Sequence, residues 1–175
     1  MAGDQLNPEH VERAARELGR SVRCACVTIS DSRTRENDTG GDIIEQLLGE
    51  AGHELVQREL VRDEPDQIAA CVERARVAGA SVLVTTGGTG IARRDSTFDA
   101  IDALLEKRLP GFGELFRALS FPEIGPAAML SRATAGTVGE LLVFCLPGSP
   151  HAVRLGLERL IVPDLAHLAW ETVRR

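Results

Sequence analysis

Three short apolar runs, each followed by a polar or glycine-rich loop and then by an amphipathic segment, constrain the fold of this chain most strongly. The runs are SVRCACVTIS (21–30), ASVLVTT (80–86) and ELLVFCL (140–146). Nearly continuous apolar runs of this length are typical of strands buried on both faces. Because such strands alternate here with helical segments, we predict an α/β fold, a mostly parallel sheet with helices on both of its faces.

The remaining segments carry helical periodicity or strand alternation. We expect helices over residues 40–52, 64–79, 97–108 and 110–120, a strand over 53–61, a short strand or hairpin before 140–146, and a helical last stretch with a break or kink at Pro163. NPEHVERAAREL predicts one more helix near the N-terminus. We therefore predict a single domain over residues 1–175 with a short N-terminal helical extension over about residues 1–20.

Composition excludes several classes of function. The chain is 43% hydrophobic and carries a formal net charge of -6, which argues against wholesale binding to nucleic acid. Aromatic residues make up only 3%, which disfavours base stacking. No apolar run approaches the roughly 18 residues of a membrane span, and the N-terminus lacks the apolar stretch of a secretion signal. We expect a soluble, cytoplasmic protein.

The cysteines and histidines give no sign of a metal or redox site. Cys24 and Cys26 are separated by one residue in a strand-like run, so both should point to one face. The spacing is not CxxC, and the four histidines are scattered. We predict buried, reduced cysteines and no zinc site.

Four loops should meet at one edge of the predicted sheet. Parallel strands place their carboxyl ends together, and ligands of open α/β sheets bind there. The loops are residues 30–32, 62–64, 87–90 and 147–150. We therefore look for the functional site among these loops.

The loop after the second apolar run belongs to the sequence TTGGTG, residues 85–90. Small residues let backbone N–H groups approach an anion, and threonine hydroxyls add donors, so phosphate or another oxyanion is the natural ligand. The sequence has neither the GK[ST] of a P-loop nor the pattern GxGxxG. A tight turn without a ligand is the alternative that the glycines alone leave open.

Two carboxylates are expected near this loop. A carboxylate beside a phosphate repels it unless a divalent cation lies between them, and Mg²⁺ is usually held in this way beside a nucleotide. We therefore predict that Asp95, with Asp63 as the second carboxylate, holds Mg²⁺. The plainer alternatives are that Asp63 caps the next helix, and that Ser96 or Thr97 caps the helix that follows Asp95.

Other residues at this edge also have two interpretations. Ser30 and Asp31 either face a ligand or belong to a solvated loop. The PGSP turn (147–150) either offers backbone donors and Ser149 to an anion at a helix N-terminus, or is a simple turn. Arg93 and Arg94 form a local basic cluster able to hold phosphate.

The motifs TTGGTGIARRDST, PGFGELFRALS, AAMLSRATAG and FCLPGSPHAV, in this order and spacing, resemble the MoaB/Mog family of molybdenum-cofactor biosynthesis proteins, related to the G domain of gephyrin. The likeness runs from about Val22 to Trp170 and is greater to the MoaB branch. It implies a three-layer α/β/α fold and a homo-oligomer, a trimer or a hexamer. Active members transfer AMP from Mg-ATP onto the terminal phosphate of molybdopterin, and a partner enzyme then inserts molybdate or tungstate.

The resemblance also implies roles for residues of this chain. Asp63 and Asp95 would act in catalysis and bind Mg²⁺. The residues implied to bind molybdopterin or ATP are Ser30, Asp31, Thr86, Gly87, Gly88, Thr89, Gly90, Arg94, Ser131, Arg132, Pro147, Gly148, Ser149 and Pro150. We expect in-line attack of the molybdopterin phosphate on the α-phosphorus of ATP, with Arg93, Arg94 or Arg132 supplying further positive charge.

Two other functions stay open at this point. One is a non-catalytic molybdopterin-binding or assembly protein on the same fold, since residues 94–98 read RDSTF where the Mog and gephyrin pattern reads PRDVTP. The other is an unrelated nucleotide-binding α/β enzyme such as a dehydrogenase, which the missing GxGxxG pattern disfavours.

Overall fold

The computed structural model describes residues 21–92 and 95–173. The predicted N-terminal helix and the pair Arg93 and Arg94 lie outside these residues. Within the described part of the chain, six strands form one sheet in the order β2-β1-β3-β6-β5-β4. The strands are β1 (Arg23–Ile29), β2 (Glu54–Val61), β3 (Val82–Thr86), β4 (Lys107–Arg108), β5 (Thr134–Val138) and β6 (Leu141–Leu146).

Helices connect these strands and follow the last one. They are α1 (Thr39–Glu50), α2 (Pro65–Val77), α3 (Thr97–Leu104), α4 (Pro110–Ile124), α5 (Pro150–Gly156) and α6 (Leu165–Val173). Short 3-10 turns cover Arg35–Asn37, Gly125–Leu130 and Val162–Asp164. The predicted break at Pro163 is confirmed, because a π-turn over Leu157–Ile161 and then a 3-10 turn separate α5 from α6. Among the described residues, no helix combines the length and hydrophobicity that crossing a membrane requires.

The predicted α/β fold is confirmed. Strands β2, β1, β3 and β6 pair in parallel, whereas β5 and β4 are added antiparallel at the far side of β6. Side chains of β1 alternate between two cores: Cys24 and Cys26 lie in one, and Ala25, Val27 and Ile29 in the other. The central strands β1, β3 and β6 are therefore buried on both faces, which explains the continuous apolar runs.

Helices cover each face and give the three layers. On the first face the core includes Ile44 of α1, Phe116 of α4 and Leu165 of α6. On the opposite face it includes Ile68 of α2 and Ile101 of α3. Close packing in the two cores holds the strands in place, and this fixes the positions of the loops at the carboxyl edge of the sheet.

The prediction of buried, reduced cysteines is confirmed. All four cysteines are free and buried. Burial raises the pKa of the Cys24, Cys71 and Cys145 thiols to about 12, and it also raises the pKa of Cys26. These thiols therefore stay protonated and unreactive at neutral pH.

Two predicted helix ends are wrong. The helix expected over 97–108 ends at Leu104, because Lys107–Arg108 pairs with β5 as an edge strand. Helical periodicity within the segment does not reveal this pairing with residues about 30 positions further along. The helix expected over 110–120 continues to Ile124 and includes Pro122. So close to the helix end, the proline removes a single backbone hydrogen bond and the helix tolerates it.

Candidate functional site

The carboxyl ends of the parallel strands lie level with one another. Thr86 of β3 is in register with Thr28 of β1 on one side and with Leu146 of β6 on the other. Directly beyond them the Gly87 N–H donates to the Leu146 carbonyl at 3.2 Å. The Ser30 N–H donates to the Val61 carbonyl of β2 at 2.9 Å. The expectation that the four loops share one edge is therefore confirmed.

A small cavity of about 160 Å³ lies between these loops. Liquid water occupies about 30 Å³ per molecule, so this volume suits a phosphate-sized group and not a whole nucleotide. The cavity is lined by Thr28, Ile29, Ser30, Arg33, Thr86, Gly87, Gly88 and Gly148.

The glycines at this cavity are required by close contact between backbones. Gly87 has φ +109°, and a Cβ built on it would lie 2.0 Å from the Ile29 carbonyl oxygen. A Cβ on Gly148 would lie 3.0 Å from the Gly87 Cα. No side chain fits at position 87, so three loops meet through bare backbone.

The rest of the glycine loop leaves backbone donors unused. Unlike Gly87, residues 88–90 donate no backbone hydrogen bond to the described residues. Gly88 is half-buried and Thr89 is buried, at 5% exposure. Buried N–H groups are almost always paired in folded proteins, so this loop has donors for an anion.

Asp63 lies directly against this loop. Its Oδ1 accepts hydrogen bonds from the Ser96 hydroxyl at 2.8 Å and the Thr97 hydroxyl at 3.0 Å. Its Oδ2, which accepts no hydrogen bond from the described residues, lies 2.3 Å from where a Cβ on Gly88 would be. One oxygen is thus held in place, while the other stays available beside the loop.

Neither Asp63 nor Ser96 serves as the side-chain helix cap that was the alternative interpretation of these residues. Glu64, not Asp63, occupies the N-cap position of α2, and its side chain makes no capping hydrogen bond. Ser96 occupies the N-cap position of α3 but likewise makes no capping bond, because its hydroxyl donates to Asp63. The start of α3 therefore serves to orient the Asp63 carboxylate.

Asp95 closes the far end of the glycine loop. Its Oδ2 accepts the Ala92 N–H at 3.0 Å, and it lies 2.3 Å from where a Cβ on Gly90 would be. Asp31 joins the same edge from the β1 loop, where its Oδ1 accepts the Asp63 N–H at 3.2 Å. Asp63 and Asp95 therefore lie against the loop, and Asp31 is bonded to the backbone of Asp63.

The carboxylates of Asp63 and Asp95 suit a cation whose remaining ligands come from a nucleotide and from water. Among the described residues, no group of three or more His, Cys, Asp or Glu side chains could hold a metal ion. Mg²⁺ beside a nucleotide usually takes only one or two carboxylates, with phosphate oxygens and water completing its shell. The free Oδ2 of Asp63 meets that requirement, and Asp95 lies on the same loop.

Arg132 donates hydrogen bonds to the glycine loop and to Asp95. Its guanidinium donates to the carbonyls of Thr89 at 2.9 Å, Gly90, and Asp95 at 3.3 Å. It also pairs with the Asp99 carboxylate at 3.1 Å and lies 4.8 Å above the Phe98 ring centroid. Ser131 lies beside it, and both Ser131 and Arg132 line a second cavity of about 310 Å³ together with Arg117.

Several predicted hydroxyls are used inside the protein. Thr86 donates to the Pro147 carbonyl at 3.1 Å. Ser149 caps α5, accepting the Ala152 N–H at 3.2 Å, and Pro150 is the first residue of that helix. Ser30 accepts backbone N–H groups of its own turn. The Thr86 bond therefore joins β3 to the 147–150 loop, whereas Ser30 and Ser149 stabilise their own turns.

Sequence reasoning missed Arg33. It lines the cavity, where its guanidinium donates to the Gly148 carbonyl at 3.0 Å and to the Thr39 hydroxyl at 3.3 Å. The signal available in the sequence was its place three residues after Ser30, in the loop that follows the first apolar run. Arg94, which was predicted to bind substrate, lies outside the described residues.

A buried ion pair fixes the helix behind Arg33. Asp38, at the N-cap of α1, is 1% exposed and accepts the Thr28 hydroxyl at 2.9 Å and the Gly41 N–H at 3.0 Å. Its carboxylate also pairs with Arg58 of β2 at 3.2 Å. The pair ties the start of α1 to β1 and β2, which holds the Arg33 loop over the strand ends.

Comparison with known proteins identifies the family. A family model described as "Probable molybdopterin binding domain" matches residues 25–167. The chain belongs to this molybdopterin-binding family. The match begins within β1 and ends within α6, so it includes every loop of the site.

Relatives within the family align over nearly the whole chain. The molybdenum cofactor biosynthesis protein B of Bacillus cereus is 47% identical over 173 residues, which are 95% of this chain and 98% of that protein. A crystal structure of a molybdenum cofactor biosynthesis protein B has a TM-score of 0.85 and 48% identity, covering 89% of this chain and 98% of that one. The tungsten cofactor synthesizing protein MoaB from Pyrococcus furiosus has a TM-score of 0.80 and 37% identity, with 89% and 99% covered.

Gly87→Ala should destabilise the fold, because its Cβ would collide with the Ile29 carbonyl and its φ of +109° is strained for alanine. We expect the free energy of unfolding, measured by urea titration with circular dichroism, to fall by at least about 2 kcal/mol. Gly49→Ala is the matched control, since a Cβ there meets no atom within 4 Å and lies in helix α1. It should stabilise by up to about 1 kcal/mol. Equal stability of the two variants would contradict this account of the loop contact.

Proposed function

We propose that this protein is a molybdopterin adenylyltransferase, which uses Mg-ATP to adenylylate the terminal phosphate of molybdopterin in molybdenum cofactor biosynthesis. Membership of the molybdopterin-binding family supports the ligand, and the names of the relatives support the pathway. The observation that carries the proposal is the Asp63 carboxylate, held with one free oxygen against a glycine loop beside a phosphate-sized cavity. The family match also removes the dehydrogenase alternative.

The proposed reaction makes one P–O bond and breaks one. An oxygen of the molybdopterin phosphate attacks the α-phosphorus of ATP, and the bond from that phosphorus to the bridging oxygen of the β-phosphate breaks. The electron pair leaves with pyrophosphate. No general base is needed, because the attacking phosphate is already an anion; positioning and charge neutralisation dominate such transfers.

The chain's own residues divide this work. The N–H groups of residues 88–90, which donate to no described residue, can hold phosphate oxygens. Mg²⁺ enters as part of the substrate Mg-ATP, and Asp63 and Asp95 would hold it, so that it offsets the negative charge of the phosphates. Ser96 and Thr97 keep the Asp63 carboxylate in one orientation through their hydrogen bonds to Oδ1.

The reaction can be tested with molybdopterin, Mg²⁺ and labelled ATP. The wild-type protein should form an AMP-containing pterin and pyrophosphate. Asp63→Asn and Asp95→Asn keep the size of the side chain but remove its charge, so each should lower kcat/KM at least about 100-fold, or about 2.7 kcal/mol in the barrier. Asp66→Asn, on the exposed first turn of α2, is the control and should stay within about twofold.

The outcomes separate the competing functions. Tight molybdopterin binding without any AMP product would overturn the enzyme proposal in favour of a non-catalytic binding or assembly protein. Adenylylation that survives Asp95→Asn within about threefold, about 0.7 kcal/mol, would contradict the proposed metal role of Asp95. The same result for Asp63→Asn would contradict the observation on which the proposal rests.

We also propose that the protein is a homo-oligomer, a trimer or a hexamer. Large exposed apolar side chains concentrate on α4 and the 3-10 turn that follows it, with Phe121 59% and Met129 77% exposed. Contiguous exposed apolar surface of this kind marks protein interfaces. The other members of this apolar patch are Leu115, Ile124 and Leu130.

Sedimentation velocity tests the interface. The double variant Phe121→Asp/Met129→Asp places two charges in the apolar patch and should reduce the assembly to monomers. Val77→Asp is the control, because Val77 is 80% exposed but ends α2 on the opposite face of the sheet. A wild-type monomer, or an assembly unchanged by the double variant, would contradict the proposal.

The place of the protein in the cell and in its pathway follows from the same proposal. Four buried free thiols suit a reducing compartment, which supports a cytoplasmic location. The adenylylated pterin would be consumed by an enzyme that inserts molybdate or tungstate and releases AMP, so a metal-inserting enzyme is the proposed pathway partner.

A further inference from the structure

The guanidinium of Arg132 has no donor left for a ligand. An arginine side chain carries five N–H donors. Arg132 contacts five oxygens: the carbonyls of Thr89, Gly90 and Asp95, and both carboxylate oxygens of Asp99. The Phe98 ring also covers one face of the guanidinium. Binding a phosphate through Arg132 would therefore break the contacts that shape the glycine loop.

The guanidinium of Arg33, in contrast, makes few hydrogen bonds to the described residues. It lines the 160 Å³ cavity and makes two hydrogen bonds, both to neutral oxygens of Gly148 and Thr39. Within the described part of the chain it has no carboxylate within 4 Å, unlike its neighbour Arg35, which pairs with Glu45 at 3.5 Å. Three of its five N–H donors carry no hydrogen bond to residues 21–92 and 95–173, so these donors and the charge are available at the cavity.

The surroundings hold Arg33 in that position. Its own N–H donates to the Ser30 hydroxyl at 3.2 Å, and its side chain spans from the α1 loop to the turn before α5. A half-buried arginine that is already oriented loses little further freedom when it binds an anion. The cavity also adjoins Gly88, whose N–H is not bonded to the described residues.

We propose that Arg33 is the specificity-determining residue that binds the terminal phosphate of the pterin substrate in this cavity, and that Arg132 is a positioning residue which shapes the glycine loop without touching the ligand. This assignment rests on the proposed adenylyltransferase function, which identifies molybdopterin as the substrate. It deepens that function by assigning the phosphate to one side chain, Arg33, and by assigning the loop geometry to another, Arg132.

The two roles predict different losses. Arg33→Gln removes the charge that faces the phosphate, so affinity for the phosphorylated pterin should fall while affinity for the dephosphorylated pterin stays the same. Arg33→Lys should recover part of the loss, because it restores the charge without the planar fork. Arg132→Lys cannot make all five contacts of Arg132, three to loop carbonyls and two to Asp99, so it should lower kcat, while its effect on the Kd of molybdopterin should be much smaller than that of Arg33→Gln.

Equilibrium titration of the full-length protein with molybdopterin, and separately with its dephosphorylated form, tests the proposal without requiring turnover. Arg33→Gln should raise the Kd of molybdopterin at least 30-fold and change that of the dephosphorylated form less than threefold. Arg132→Lys should keep both Kd values within threefold of wild type, while amide hydrogen exchange of residues 87–92 becomes faster. Arg35→Gln controls for general electrostatics, because Arg35 pairs with Glu45 in the same loop region; it should bind both pterins like wild type.

The result that overturns the proposal is a loss of affinity in Arg33→Gln that is equal for the two pterins, or no loss for either. A phosphate-dependent loss in Arg132→Lys as large as that in Arg33→Gln would overturn it as well. If the wild type binds molybdopterin but forms no AMP product, the enzyme proposal fails while the titrations still decide the role of Arg33. If the wild type binds neither pterin, both proposals fail.

Discussion

The parallel register of the three central strands is the constraint on which the rest of the structure depends. Thr28, Thr86 and Leu146 lie side by side, so the chain leaves β1, β3 and β6 at the same level. The next residues meet in a space that admits no side chain at position 87. A shift of the pairing would separate the loops and remove the cavity. The apolar residues that alternate into the two cores keep the register, because a slip by one residue would exchange the two faces of a strand.

The charged side chains at the carboxyl edge of the sheet have different roles. The Asp63 carboxylate is oriented by hydroxyls at one oxygen and open at the other. Asp95 and Arg132 hold the loop from its two sides through backbone contacts. Arg33 faces the cavity, and most of its N–H donors make no hydrogen bond to the residues that the structure describes. Opposite charges can therefore act at one site, since a cation can bridge the carboxylates to phosphate while a guanidinium binds phosphate directly.

Features set by the local apolar pattern could be predicted from the sequence, whereas features set by contacts between distant residues could not. Runs such as 80–86 predicted their strands because a strand buried on both faces must be apolar along its whole length. Strand ends then placed Asp63 and the glycine loop at one edge. β4 was not predictable, because Lys107–Arg108 is exposed and is a strand only through its pairing with β5. Arg33 and Arg35 look alike in the polar loop, and only the folded chain shows that one pairs with Glu45 and the other faces a cavity.

The central claim is that the loops at the carboxyl edge form a phosphate site. A crystal structure of the protein with bound molybdopterin tests it most directly. The account predicts the terminal phosphate in the 160 Å³ cavity, with its oxygens at hydrogen-bond distance, about 2.7–3.2 Å, from the Arg33 guanidinium and from backbone N–H groups of the glycine loop. A phosphate found instead in the 310 Å³ cavity beside Arg117, with the edge cavity filled by water, would contradict it.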